Sequence, residues 1–149
     1  MSETITTWRD IDGLTAEQTE QLTRGHAHNL LTEAELLDTA RDYATDNQLQ
    51  AAMAGIPTPA GAVSVNRWYD DGELTTRDVY GKGCNVGDVN VRIIGQQDST
   101  GATVWHVEFD AVEGTVGGVN AGQVRELAET LTEAAEELDR LNGDAPPFM

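Results

Sequence analysis

The spacing of apolar residues along this chain changes from helical to strand-like and back to helical. In the N-terminal third, apolar side chains recur at helical spacing, which predicts helices. We expect a first helix from about residue 16 to 24, with Thr15 and Gln18 as a capping box and Gly25 at its end. A second helix is expected from its N-cap Thr32 to about residue 53.

The central part of the chain shows the period-two alternation of half-buried strands, interrupted by turn residues. The Asp and Gly residues of 70–72 and 98–101 are typical of hairpin turns. The glycine-rich residues 81–87 predict a connecting loop. The predicted strands are residues 62–69, residues 75–80, residues 89–93 and a segment centred on Val107.

The C-terminal helix has the clearest pattern. Asn120 is a suitable N-cap with Gln123 three residues later, and Asn142-Gly143 is a suitable end. Its apolar side is expected to cover the apolar face of the sheet, because a face of period two matches a helical stripe of period 3.6. A register slip of one residue would expose three apolar residues of the last strand together, so we expect a firmly set register there. The face carries Val91, Ile93, Trp105, Val107 and Phe109. The apolar side of the helix comprises Val124, Leu127, Ala128, Leu131, Ala134, Ala135, Leu138 and Leu141.

These elements predict an α+β fold, in which about four antiparallel strands are covered by a long C-terminal helix and two helices lie at the N-terminus. The length of 149 residues suits a single domain over residues 1–149. Within it we expect a helical part over residues 1–56, the sheet with its helix over residues 62–142, and a loose tail over residues 143–149.

The charge balance is strongly acidic, with 26 Asp and Glu against 9 Lys and Arg and a formal net charge of −17. Such a charge repels nucleic acid and anionic membranes, so we expect no direct binding to either. It favours a basic protein as partner. The alternative explanation for the charge is a composition bias shared by all proteins of the organism, which keeps this one soluble.

The compartment follows from what the sequence lacks. No run approaches the roughly 18 apolar residues of a membrane helix, and no signal peptide is recognisable, so we expect a cytoplasmic protein. Cys84 is the only cysteine, which excludes an intrachain disulfide and a thiolate metal cluster. We expect neither a metal nor a cofactor.

Glutamates recur at helical spacing on one side of the C-terminal helix, and we name this row the acidic stripe. Neighbouring members stand about 5–6 Å apart. Anions near a helix C-terminus are disfavoured by the helix dipole, and Arg140 is expected to offset Glu136 through an i,i+4 pair. Carboxylates that remain where they reduce the stability of the helix suggest a surface that binds a basic partner or mimics DNA phosphates. The alternative is that they form an ordinary solvated face of the helix. The acidic stripe comprises Glu126, Glu129, Glu133 and Glu137.

Two groups of residues are candidates for chemistry, but each also has a simpler structural explanation. His26 and His28 form an H-x-H pair, but a third metal ligand is not evident, so exposed or capping histidines are favoured. Cys84 stands two residues from Lys82, a cation that would activate a thiol as a nucleophile. No His–Asp pair accompanies it, and a lone cysteine is usually a small apolar residue.

Three further features suggest binding sites, but a structural role in turns, loops or packing explains each of them better. The glycines of residues 81–87 with Lys82 suggest a phosphate cradle, but the Walker spacing is missing. A turn with three carboxylates is better explained as a hairpin turn than as a weak Ca²⁺ site. Three aromatic residues near strand ends suit core or edge packing better than a contact surface. The carboxylates are Asp70, Asp71 and Glu73, and the aromatic residues are Trp68, Tyr69 and Tyr80.

Several segments resemble small acidic proteins of mycobacteriophages and of their actinobacterial hosts. The resemblance extends loosely over much of the chain and lies in framework motifs, so it implies an origin rather than an activity or a set of site residues. The segments are Ile5–Asp10, Leu14–Gln18, Val91–Gln97, Ala121–Ala128 and Ala134–Leu138.

The sequence therefore favours a non-enzymatic, phage-related accessory protein that binds another protein through an acidic surface, in the cytoplasm of the host cell if it is phage-encoded. A DNA-mimic inhibitor is one specific form of this hypothesis. The alternative is a small enzyme or ligand-binding domain that uses Cys84 or the pair His26 and His28.

Overall fold

The computed structural model describes residues 7–143 and confirms the predicted α+β class. Three α-helices and a five-stranded antiparallel sheet are present in this part of the chain. The chain divides into two compact units, residues 1–55 and residues 56–149. The tail predicted to be loose lies outside the described residues, apart from Gly143.

The N-terminal unit is helical, as predicted. A 3-10 turn, Trp8–Asp10, precedes α1 (Ala16–Ala27) and α2 (Glu33–Ala52). Both predicted capping boxes form, so the side chains of Thr15 and Thr32 each accept a hydrogen bond from the backbone N–H three residues later. The core of this unit is a cluster of four buried residues, Trp8, Leu22, Leu36 and Ala40.

The predicted end of α1 at Gly25 is wrong, because the helix continues to Ala27. The chain instead reverses at Asn29, whose φ of 51° is a left-handed conformation that asparagine tolerates. The N–H of Leu30 then donates to the carbonyl of Gly25 at 2.9 Å, which closes the helix end. Gly25 itself is a buried residue of the helix, next to the side chains of Leu31 and Leu36.

The second unit is built on a sheet with strand order β1-β3-β4-β5, in which β2 also pairs with β3. All pairings are antiparallel. The strands are β1 (Ser64–Val65), β2 (Tyr69–Asp70), β3 (Thr75–Val86), β4 (Val89–Asp98) and β5 (Thr103–Ala111).

The continuous strand predicted over residues 62–69 is wrong, because it is broken into β1 and β2. The break coincides with Trp68, which is buried and lies with its ring 4.6 Å from the guanidinium carbon of Arg77. Arg77 Nε donates to Gln97 Oε1 at 2.7 Å, and Gln97 Nε2 donates to the carbonyl of Pro57 at 3.0 Å. Trp68 thus packs on a polar network that ties Arg77 and Gln97 to the segment before β1.

The loop predicted over residues 81–87 is also wrong, because β3 continues to Val86. Gly87 and Asp88 alone form the turn to β4, and Gly87 has the positive φ of 56° that such tight hairpins require. The pairing register shifts between Tyr80 and Gly83, which marks a β-bulge.

The C-terminal helix α3 (Ala121–Asn142) packs on the sheet, as predicted. Leu138 and Leu141 pack against the buried cluster of the sheet, and the Asn142 side chain hydrogen-bonds both the N–H and the carbonyl of Trp105, at 3.0 and 3.3 Å. The predicted burial of Phe109 is wrong, since this residue is 63% exposed. The buried cluster consists of Val79, Ile93 and Trp105.

Candidate functional site

A groove of about 340 Å³ lies between α3 and the β3–β4 hairpin. Val91 and Ile93 contribute its apolar floor, and Ala134 lines it from the helix. Cys84 lies on the hairpin side, where it is exposed to solvent. The groove thus brings together the only cysteine of the chain with part of the C-terminal helix.

The position of α3 over the sheet explains why the groove is open. The helix contacts β5 most extensively and reaches the backbone of this strand through Asn142. None of the residues of α3 is fully buried. Because the helix lies nearest to β5, the β3 side of the same sheet face remains accessible beside it.

The β-bulge in β3 decides which side chains face the groove. With regular alternation from the buried Val79, residues 81, 83 and 85 would point toward α3. The register shift instead places Cys84 opposite Val91 and Val86 opposite Val89. Directly opposed residues share one face of an antiparallel pair, so Cys84 shares the face of the buried Val91.

Charged side chains complete the lining of the groove. Lys82 and Arg92 come from the strands, and Glu133 and Glu137 come from α3. Glu137 is paired with Arg140, whose Nε donates to Oε2 at 2.9 Å while Nη2 contacts Oε1. This hydrogen bonding lowers the pKa of Glu137, and the positive charges of Arg140 and Lys82 lower it further. The pair expected between Arg140 and Glu136 is therefore replaced by one with Glu137.

The structure divides the acidic stripe into two parts. Glu137 has its charge balanced by Arg140 and Lys82. Glu126, Glu129 and Glu133 are exposed, and no cation among residues 7–143 lies within ion-pairing distance of them. Glu133 belongs both to the acidic stripe and to the groove. It lines the groove, and together with Glu129 it borders a shallow depression on α3.

The histidine pair is separated by its local structure. His26 lies in the last turn of α1, with Nδ1 3.2 Å from Glu33 Oε1, while His28 is the C-cap residue of the same helix. In the part of the chain that the structure describes, no three His, Cys, Asp or Glu side chains are grouped so that they could hold a metal ion.

Two of the three carboxylates of the predicted hairpin turn accept hydrogen bonds within the turn. Asp70 Oδ1 accepts from the N–H of Gly72 at 2.8 Å, and Asp71 Oδ1 accepts from the N–H groups of Glu73 and Leu74, both at 2.9 Å. The bond from Leu74, followed by that from Glu73, lowers the pKa of Asp71. These carboxylates therefore stabilise the turn, which agrees with the structural explanation of this segment.

The three aromatic residues that the sequence placed near strand ends have different environments. Trp68 is buried, whereas Tyr69 is 67% exposed. Tyr80 is half-buried, and its hydroxyl accepts a hydrogen bond from Asn66 Nδ2 at 3.0 Å. They do not form one common surface, since Trp68 belongs to the core.

Comparisons with protein-family models, with curated proteins and with solved structures gave no match. None of the helices within residues 7–143 has the combination of length and apolar character needed to cross a membrane.

Proposed function

We propose that this chain is a non-enzymatic accessory protein that binds a basic partner protein through the acidic stripe of α3. The observation that carries the proposal is a row of three exposed carboxylates that form no ion pair with any residue of 7–143, namely Glu126, Glu129 and Glu133. Seven residues of helical rise separate the first from the last, which corresponds to about 10 Å along the helix axis.

These carboxylates repel one another in the isolated protein. Like charges at i,i+3 and i,i+4 positions destabilise a helix by about 0.2–0.5 kcal/mol per pair. A partner with Lys or Arg side chains at matching positions relieves this repulsion when it binds. The net charge of −17 also accelerates the encounter with a basic surface, and salt weakens that effect.

A DNA mimic is the sharper form of the proposal, since a row of carboxylates presents negative charge to a protein surface that otherwise holds phosphates. The resemblance to mycobacteriophage and actinobacterial proteins extends the proposal to a role in the cytoplasm of a bacterial host. Duplex DNA should then compete with this chain for the same partner. Rising salt should weaken the binding of DNA to the partner and so reduce the competition.

The proposal is tested by removing charge from the stripe alone. Glu126→Gln, Glu129→Gln and Glu133→Gln together keep helix propensity close to that of glutamate. A matched control, Glu17→Gln with Glu73→Gln and Glu113→Gln, removes the same charge from exposed positions outside α3.

We expect wild type and the control to capture the same partner from host lysate at about 0.1 M salt, where the screening length is about 10 Å. The stripe variant should lose that partner while it folds normally. If all three proteins capture an identical set, the stripe is only a solvated face.

The groove beside Cys84 supports a second candidate, a ligand-binding domain. Its lining contains no histidine that would act as a base for the thiol, so the groove favours binding over covalent catalysis. Iodoacetamide labelling of Cys84 tests the nucleophile version directly. A rate equal to that of a free thiol in a short peptide would remove the basis for a catalytic cysteine.

A further inference from the structure

The groove and the acidic stripe adjoin on α3, where Glu133 belongs to both. The groove has an apolar floor of Val91 and Ile93, and Glu133 stands at its edge. From Glu133 the surface continues into the shallow depression that Glu129 borders. A cavity of about 340 Å³ lies at the lower end of the range of about 300–1,000 Å³ found for ligand sites.

We propose that the groove receives an apolar side chain from a basic segment of the partner protein, and that this segment lies along α3 with its cations against Glu133, Glu129 and Glu126. The inference rests on the proposed function and adds a specific requirement. The partner needs an apolar anchor residue next to its basic residues, and charge alone is not sufficient.

Charge complementarity selects a basic segment over a second copy of this chain. Each copy carries a net charge of −17, so a second copy would bring the same charge against α3. At the groove, Glu137 is already compensated by Arg140, which lies next to it on α3, and by Lys82 of the lining. Arg92, the other cation of the lining, lies 3.7 Å from Glu108 Oε2. Glu133 has no such cation among residues 7–143, so an incoming Lys or Arg gains an attraction there that the protein itself does not use.

The dimensions of the surface agree with a short extended segment. An extended chain advances about 3.3–3.6 Å per residue, so about three residues span the roughly 10 Å of helix between Glu133 and Glu126. A segment anchored by one side chain in the groove therefore reaches all three unpaired carboxylates. Apolar burial holds such a segment, while the charges determine its orientation.

The test uses synthetic peptides labelled with a fluorophore. The first carries one leucine flanked on both sides by lysine pairs, the second replaces the leucine by serine, and the third replaces the lysines by glutamates. Affinities are measured by fluorescence anisotropy at about 0.1 M salt. Partial burial of one leucine side chain corresponds to about tenfold in affinity, so the leucine–lysine peptide should bind about tenfold more tightly than the serine peptide.

A variant that fills the groove shows whether the leucine binds there. Ala134→Leu places a larger side chain in the groove, whereas Ala135→Leu changes an exposed neighbour that does not line it. The preference for leucine over serine should disappear in Ala134→Leu and persist in Ala135→Leu. Circular dichroism and thermal melting confirm that both variants fold.

Cys84 provides a second readout, because it lines the groove and is the only thiol in the chain. The leucine–lysine peptide should slow alkylation of Cys84 by iodoacetamide, and the serine peptide at the same concentration should slow it much less. This readout needs no substitution and therefore remains valid if Ala134→Leu fails to fold.

The outcomes separate this inference from the proposed function. Equal binding of the leucine and serine peptides, with loss of both in the three-glutamine stripe variant, would overturn the groove inference and leave the acidic stripe intact. Equal binding of the lysine and glutamate peptides would overturn the basic partner. Absence of binding by every peptide would overturn both. Self-association in light scattering that Ala134→Leu abolishes would identify the occupant as a second copy and overturn the inference.

Discussion

Gly95 in β4 gives a sharp test of the packing beneath the groove. It lies between Val79 of β3 and Trp105 of β5 in the pairing register, and both neighbours are fully buried. A Cβ atom built on Gly95 would stand 2.9 Å from Trp105 Cδ2 and from Val79 Cγ2. Non-bonded carbon atoms favour about 3.5–4.0 Å, so an alanine would be too close on both sides.

The change in the free energy of unfolding on Gly95→Ala follows from two opposing effects. Forcing a methyl group into a well-packed core costs about 1–3 kcal/mol. Alanine in a strand is favoured over glycine by about 0.5–1 kcal/mol, because glycine loses more backbone freedom on folding. Gly95→Ala should therefore lower the free energy of unfolding by up to about 2.5 kcal/mol.

Gly118→Ala is the matched control. The nearest atom to a Cβ at this position is Val116 Cγ2 at 4.0 Å, and Gly118 does not adopt a positive φ. It should retain the entropic gain of about 0.4–1 kcal/mol without a clash. The difference between the two variants isolates the clash, which should amount to about 1–3 kcal/mol.

The assay is urea denaturation followed by circular dichroism, with the slope m compared among the variants. The double variant Gly95→Ala with Val79→Ala should lose less stability than the sum of the single changes, because the smaller residue removes one of the clashes. Equal stabilities of Gly95→Ala and Gly118→Ala would show that Val79 and Trp105 do not hold the positions described here.

Three other outcomes are expected. Gln97→Ala should lower the free energy of unfolding, measured by urea denaturation, by about 1–3 kcal/mol, because it leaves the buried Arg77 Nε without its acceptor. The control Gln96→Ala, at an exposed position, should change this free energy by less than about 0.5 kcal/mol. Hydrogen bonds, first that from the Thr100 hydroxyl, lower the pKa of Asp98 in the folded state. The advantage of wild type over Asp98→Asn should therefore be complete at about pH 6 and decline as the pH falls below about 4; a pH-independent difference would contradict this assignment. Finally, with a net charge of −17, the melting temperature should rise between low salt and 1 M NaCl, as the screening length falls to about 3 Å; a flat profile would mean that the charges are well spaced.

The helices could be predicted because their signals are local. Three capping boxes, at Thr15, Thr32 and Asn120, mark the starts of α1, α2 and α3, and all three form as expected. The alternation in β4 and β5 likewise predicted which face of the sheet is apolar, since this pattern depends only on the period of a strand. The fold class followed from these elements.

The candidate site could be predicted only in part. The glutamates of the acidic stripe were visible in the sequence, because helical spacing alone places them on one side of α3. The unequal charge balance within the stripe was not foreseen. It depends first on Arg140, which pairs with Glu137 rather than with Glu136, and then on Lys82, which a separate strand brings near Glu137. Phe109 was misjudged because burial depends on where α3 lies over the sheet, and period-two alternation contains no information about that position.

By itself, the sequence determined the class of fold, the starts of the helices, the excess of negative charge and the acidic stripe, because each of these depends on composition or on spacing within one element. Only the tertiary structure decided that β3 continues through its glycines, that a β-bulge turns Cys84 toward α3, and that a groove remains beside that helix. These features result from pairing and packing between segments distant in sequence. A register shift in one strand is therefore sufficient to determine which side chains form the site.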